Sequence, residues 1–446
     1  MEKQKNTGII AAIAAAALTV LIIAIYVYAG PYIKISRAVR KTFVPDKLMQ
    51  DMSAVDYINT GNYTADFDGK LSYRSRPDID IKANYIQDAV NKTQSMTGSI
   101  GFQGIDIVYN EYLDKNYVYV SVPFLTDRTI VYDYRNGKTG YLTYNSYVKD
   151  FFDGSDTVFQ NCYDNLRPVS SEIDRGVLKV IAKDIRKTGL KKTGKKEFVI
   201  DGKKTGCKGY SLTMTKEQYK DMLRDIDDYN SKEKGLSSGY LEGLLDRLDK
   251  SNTNVMWKSM ADADNYTVHV YLYKNRIGAI DIDFDDEYKT SMELVFQGGL
   301  VPYENAEFSY TDVSGRNIRL ISEGSSTKNA VHIKYRGETD GVSVQLGSVD
   351  YENNQLECDL GYRQQTVHIK TKIIKAEESI KFKDLLILSG SDSNQTELNG
   401  DICIKQGGTV EVLKNNNPFD IGNASETEIK SFVTEVALNK TIGKWF

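Results

Sequence analysis

Histidine, cysteine, proline and tryptophan are scarce in this chain, with 3, 4, 7 and 2 copies among 446 residues, and the first three scarcities each narrow the function. His269, His332 and His368 stand alone in V-H-V or V-H-I contexts. A helical zinc motif needs two histidines one turn apart, so none exists here. Cys162, Cys207, Cys358 and Cys403 are widely spaced, whereas zinc cysteines come in close pairs. So few prolines, with no low-complexity tract, argue against a disordered stalk. Also missing are a G-x-S-x-G elbow, a G-x-G-x-x-G loop and a phosphate loop. No catalytic, cofactor-binding or metal residue is therefore indicated, and a non-enzyme is expected. Charge of one sign is lacking too: 57 basic against 61 acidic residues, net −4, gives no case for nucleic acid.

What is present begins with an uncharged run, residues 8–30. As a helix it is about 35 Å long, enough to cross a hydrocarbon core of roughly 30 Å. Tyr26, Tyr28 and Tyr32 fall where an interfacial aromatic belt would lie. The expectation is a short cytoplasmic tail at 1–7, a transmembrane signal-anchor at 8–30, and a large extracytoplasmic region at the cell membrane, single-pass. Lys34, Arg37, Arg40 and Lys41 vote for the opposite orientation by the positive-inside rule; the short leading tail favours export.

Beyond the run the chain reads as mainly β with α, an α+β class: two related domains of strongly curved antiparallel sheet packed on helices, at 34–235 and 236–446. Asn62-Tyr63-Thr64 and Asn265-Tyr266-Thr267 open matching strand-like runs. Cys162 and Cys207 are 45 residues apart, as are Cys358 and Cys403. One disulfide per half is thus a candidate in an oxidising compartment; buried small hydrophobes are the alternative. Capping boxes at Thr215/Gln218 and Ser425/Glu428 each precede an apolar i, i+3, i+4, i+7 stripe. These landmarks recur in order, which indicates an internal repeat. Strands are expected at 265–274, 277–285, 290–297, 316–322, 329–336, 342–348 and 364–374, and hairpin turns at Asp68-Gly69, Asn136-Gly137, Asp201-Gly202, Asp340-Gly341 and Asn399-Gly400. Helices are expected around 37–52, 144–152, 172–187, 216–229, 237–249 and 426–438.

Three local features bear on binding. Residues 175–208 hold twelve Lys or Arg and three acids. Of these, Lys179, Lys183, Arg186, Lys187, Lys191, Lys192, Lys195 and Lys196 are candidates for contact with an anionic surface, or else a solvated face. Asp281-Ile-Asp283-Phe-Asp285-Asp286-Glu287 begins like a calcium loop, but glycine is absent at position six and Met292 stands where the bidentate Glu belongs. Its alternation reads as a half-buried strand. Tyr109, Tyr112, Tyr117, Tyr119, Tyr271 and Tyr273 suit either a groove or cross-strand packing.

The segments ISRAVRKTF, GNYTADFDGKLSYR and FVIDGKKTGCKGYSLTMTKEQYKDML resemble uncharacterised membrane-anchored envelope proteins of Firmicutes related to the lipoprotein-carrier fold. The resemblance implies a curved half-barrel over helices and a hydrophobic cavity for lipid. The chain departs from those carriers in having no lipobox cysteine and in its doubled unit. The expected function is a membrane-anchored extracytoplasmic binding protein for lipid or another amphiphile. The alternative is a surface interaction or scaffold module contacting protein or anionic cell-wall polymer, and an envelope hydrolase is a minor third.

Overall fold

A computed structural model describes residues 38, 41–42, 46–52, 61–74, 76–136, 140–144, 149–164, 166, 180, 183, 188–234, 262–287, 289–311, 314–362, 365–391, 394–413 and 417–438. The first strands are β1 (Asn62–Tyr73), β2 (Ile79–Asp88), β3 (Thr93–Phe102), β4 (Ile105–Leu113), β5 (Tyr117–Ser121) and β6 (Ile130–Asp133). Next come β7 (Lys191–Ile200), β8 (Lys203–Thr215), β9 (Asn265–Tyr273), β10 (Arg276–Phe284), β11 (Ser291–Gly298), β12 (Asn305–Thr311), β13 (Asn317–Ser326), β14 (Ala330–Thr339) and β15 (Val342–Glu352). The last are β16 (Gln355–Tyr362), β17 (Gln365–Lys375), β18 (Ser379–Ser391), β19 (Asn394–Gln406) and β20 (Phe419–Asp420). Helices are α1 (Lys47–Met52), α2 (Tyr141–Tyr144), α3 (Lys149–Asp164), α4 (Lys216–Lys234) and α5 (Glu426–Ala437).

These elements form two compact units, neither of them a continuous half of the chain. The described residues of 1–50 and 172–353 make unit 1; those of 51–171 and 354–446 make unit 2. The division therefore falls elsewhere than at 235/236. Its physical cause is β1, which pairs with β19 along Tyr63–Tyr73 and draws the last strands back to the first. Gly69 faces Gly400 in that pair, so Asp68-Gly69 and Asn399-Gly400 lie within β1 and β19 and not at the turns expected of them. A Cβ on Gly69 would lie 2.3 Å from the Asn399 carbonyl oxygen, and one on Gly400 would lie 2.4 Å from that of Asp68, so both positions need glycine.

Unit 1 is an antiparallel meander in which β7 through β15 pair in succession. Asp201-Gly202 and Asp340-Gly341 turn two of its hairpins with positive φ at both residues, the backbone that Asp-Gly favours. One face is apolar. There Tyr210, Val270, Ile280 and Phe296 surround Ala38, and Leu212 and Met214 meet Met222 and Ile226 of α4. In unit 2 the strand order is β16-β17-β18-β19-β1-β2-β3-β4-β5-β6-β20, antiparallel except for the final β6–β20 pair. Leu113, Val118, Tyr132, Tyr134 and Leu166 form its core against Phe159 and Cys162 of α3.

Several expectations are corrected. The sheets are mainly antiparallel but neither strongly curved nor closed. Strands β1 to β4 pair in unbroken register, without the bulges that bend a sheet sharply. Among the described residues no helix is long and apolar enough to cross a membrane, and the span expected at 8–30 lies outside those residues. The membrane-anchored, single-pass, extracytoplasmic reading, its membrane contact and the lipid or wall-polymer roles built on it are withdrawn accordingly. All four cysteines are free thiols. Cys162 and Cys207 belong to different units. Cys358 on β16 is separated from Cys403 on β19 by β17 and β18, roughly 14 Å at normal strand spacing, beyond disulfide reach. The helix expected at 237–249 lies outside the described residues.

Candidate functional site

The alternation that buries Ile280 and Phe284 and half-buries Ile282 on one side of β10 turns Asp281 and Asp283 to the other, as a strand period of two requires. Register then extends Asp281 into a polar row. Ser211, His269, Asp281, Glu293, Ser309, Arg319, Glu338 and Ser343 stand opposite one another in turn from β8 to β15. The β10–β11 register is held by the turn, where Asp286 accepts hydrogen bonds from the Thr290 backbone N–H (2.8 Å) and hydroxyl (2.7 Å). At one end of the row Arg319 donates to Glu307 at 2.7 Å and also to Glu338, while Arg336 bridges Glu338 (2.6 Å) and Glu323 (2.8 Å).

The other end is more confined. Strand β7 reaches β11, where the Asp201 N–H donates to the Gln297 carbonyl at 2.8 Å. Phe198, Ile200 and Cys207 pack there with Tyr271, Ala279 and Val295. Lys196 shares a side of β7 with Phe198, and its Nζ donates at 2.7 Å both to Asp281 Oδ2 and to Glu293 Oε1. The same ammonium lies 5.1 Å from the Phe198 ring centre and 5.7 Å from that of Tyr271. His269 stacks on Tyr271 at 6.2 Å, and its Nε2 is 3.1 Å from Asp283 Oδ2. Asp281 Oδ1 and His269 Nδ1 are buried without a hydrogen-bond partner among the described residues.

Electrostatics follow from this sharing. Burial raises the Asp281 pKa to about 6; the Lys196 ammonium opposes the rise and the Glu293 charge adds to it. Burial by itself would lower the Lys196 pKa, but its hydrogen bonds to the two acids prevail and hold it above the ordinary lysine value. One cation between two carboxylates leaves an excess negative charge, and protonating Asp281 removes it.

Five of the eight basic candidates fall among the described residues. Lys179, Arg186 and Lys187 lie outside the described residues. Lys183 is exposed and pairs with Asp225 at 3.3 Å, and Lys191, Lys192 and Lys195 are exposed on β7. Lys196 alone joins the acidic run. Tyr112 and Tyr119 are cross-strand partners with rings 5.6 Å apart, and Tyr109 lies over Gly98 on the opposite face from Tyr112. These tyrosines pack across strands. Glu293 and Phe198 were not singled out by sequence. The signal for Glu293 was only approximate: the strands expected at 277–285 and 290–297 centre on 287.5 and would set residue 294 opposite Asp281, one off the register observed. Phe198 gave none, because only the return of β7 brings it here.

Unit 2 offers a shallow depression of about 420 Å³ lined by Asp66, Asn84, Thr97 and Asp401. Its acids are already engaged: Asp66 with Asn84 (2.6 Å) and Lys405 (2.8 Å), Asp401 with the Asp384 N–H (2.9 Å) and Lys383 (3.2 Å). Compared with known protein families and with curated proteins, the chain matches none.

Proposed function

We propose that the chain acts by binding and not by catalysis, and that the charged face of unit 1 recognises a cationic ligand. The observation that supports this is the local charge balance. Asp281 and Glu293 converge on a single lysine, Asp283 lies beside them on His269, and Asp281, 6 % exposed, keeps one oxygen unpartnered. A buried carboxylate oxygen with no donor is costly, and such groups cluster at functional sites. Against catalysis, each histidine contacts an aspartate: His269 with Asp283, His332 with Asp350 and His368 with Asp359. Among the described residues none of these pairs engages a hydroxyl or thiol as an activated nucleophile would require.

The test is calorimetric titration of the full chain with spermidine at pH 7.5, beside the Asp281→Asn/Glu293→Gln double variant. Saturable, salt-sensitive binding that the double variant weakens by about tenfold or more is expected, corresponding to roughly 1.4 kcal/mol. Equal binding by both proteins, or none by the wild type, would make the cluster purely structural.

A further inference from the structure

Lys196 sits where a ligand cation would sit, and its fit is incomplete. Its ammonium satisfies Asp281 Oδ2 and Glu293 Oε1 at 2.7 Å each, yet leaves Asp281 Oδ1 without a donor. Ordinary structural ion pairs in sheltered sites use both oxygens of a buried carboxylate. An ammonium is a point charge with three donors, whereas a guanidinium is a planar fork with five that engages a carboxylate bidentately. A guanidinium in this place can serve both Asp281 oxygens and lay its plane against Phe198 and Tyr271, whose ring centres are 5.0 Å apart. The mouth is reachable, because the Lys196 side chain is 44 % exposed. It stands beside the β7 register shift between Lys192 and Lys195, on a flexible four-carbon stem that can swing out without moving backbone.

We propose that Asp281, Glu293, Phe198 and Tyr271 form a guanidinium-binding site, and that Lys196 is an internal latch which a guanidinium-bearing ligand displaces. This rests on the cation-binding reading of the same face. The latch competes with ligand, so apparent affinity is reduced by the fraction of molecules in which it is open. A latch closed nine-tenths of the time weakens binding about tenfold.

The experiment uses the full chain and n-propylguanidinium as probe, with n-propylammonium for comparison. In lysine-selective ¹H–¹⁵N spectra of the wild type, the Lys196 ammonium resonance should shift towards solvent-exposed lysines as propylguanidinium is added. Lys196→Met keeps the stem over the rings and removes the competing charge. It should bind propylguanidinium about tenfold or more tightly than the wild type, and propylammonium less tightly than that. Lys196→Arg retains a cation and supplies the missing donor, so it should keep the fold and abolish probe binding. The latch is overturned if Lys196→Met binds the probe no better than wild type while wild type still binds spermidine in an Asp281- and Glu293-dependent way; the cation-binding face then stands without a latch. Loss of spermidine binding as well would remove both readings.

Discussion

At Asp281 one ammonium is divided between two carboxylates inside a protein surface, and the proton inventory of the fold responds. The carboxyl has a folded-state pKa of about 6, against about 3.9 for a free aspartate. The folded state therefore holds this proton more tightly than the unfolded state does. Its stabilising contribution is complete below about pH 4 and disappears as pH rises through about 6, a span worth up to about 3 kcal/mol. The groups facing it are Lys196 from β7, His269 from β9, Glu293 from β11, and Asp283 on its own strand. Denaturant titrations of wild type and Asp281→Asn at half-unit steps from pH 4 to 7 should show the wild type losing stability relative to the variant. Parallel profiles would mean Asp281 titrates normally. Sequence announced the alternation of Asp281 and Asp283 but not their surroundings: a period of two assigns a face, and burial of that face depended on β7 returning over it.

At the scale of elements, local chemistry was most legible where a cap or a turn fixes the backbone. The Thr215 hydroxyl accepts the Gln218 N–H at 3.1 Å and the Gln218 side chain accepts the Thr215 N–H at 2.9 Å, the reciprocal box expected ahead of α4. Met222, Leu223 and Ile226 are then buried as their spacing required. Thr215→Ala should lower stability by about 1 kcal/mol, with Thr215→Ser restoring most of it; a shift in urea midpoint checks both. The second box, at Ser425 and Glu428, is also formed, yet its stripe is only partly used. Phe432 stacks on Phe419 with ring centres 4.3 Å apart, whereas Val433 is exposed. An apolar periodicity shows which side of a helix can be buried; the partner decides how much of it is.

For the whole molecule the decisive contacts are the longest in sequence. Because β16–β19 complete the sheet that starts with β1, a chain of residues 236–446 alone leaves β19 an open edge and lacks the α3 core. Expressed separately it should show no cooperative unfolding by circular dichroism, whereas the full chain should. A sharp transition in the fragment would show that the C-terminal strands fold without β1. The two strands that carry Asn-Tyr-Thr, β1 and β9, lie in different units; unit 1 takes its strands from one continuous stretch, β7–β15, whereas unit 2 joins β1–β6 to β16–β20.

The sequence by itself determined the β-rich character, most strands of β9–β17, the hairpins at Asp201-Gly202 and Asp340-Gly341 but not a turn at Asp68-Gly69, both capped helices and the alternation of Asp281 with half-buried Ile282. All of these rest on interactions within a few residues, where side-chain period and turn backbone act directly. Only tertiary structure decided the division into units, the separation of the cysteines, the absence of strong curvature, and the meeting of Lys196 with Asp281, Glu293, Phe198 and Tyr271. Those outcomes depend on which distant strands pair and in what register, and a pairing energy spread over many residues leaves no local mark.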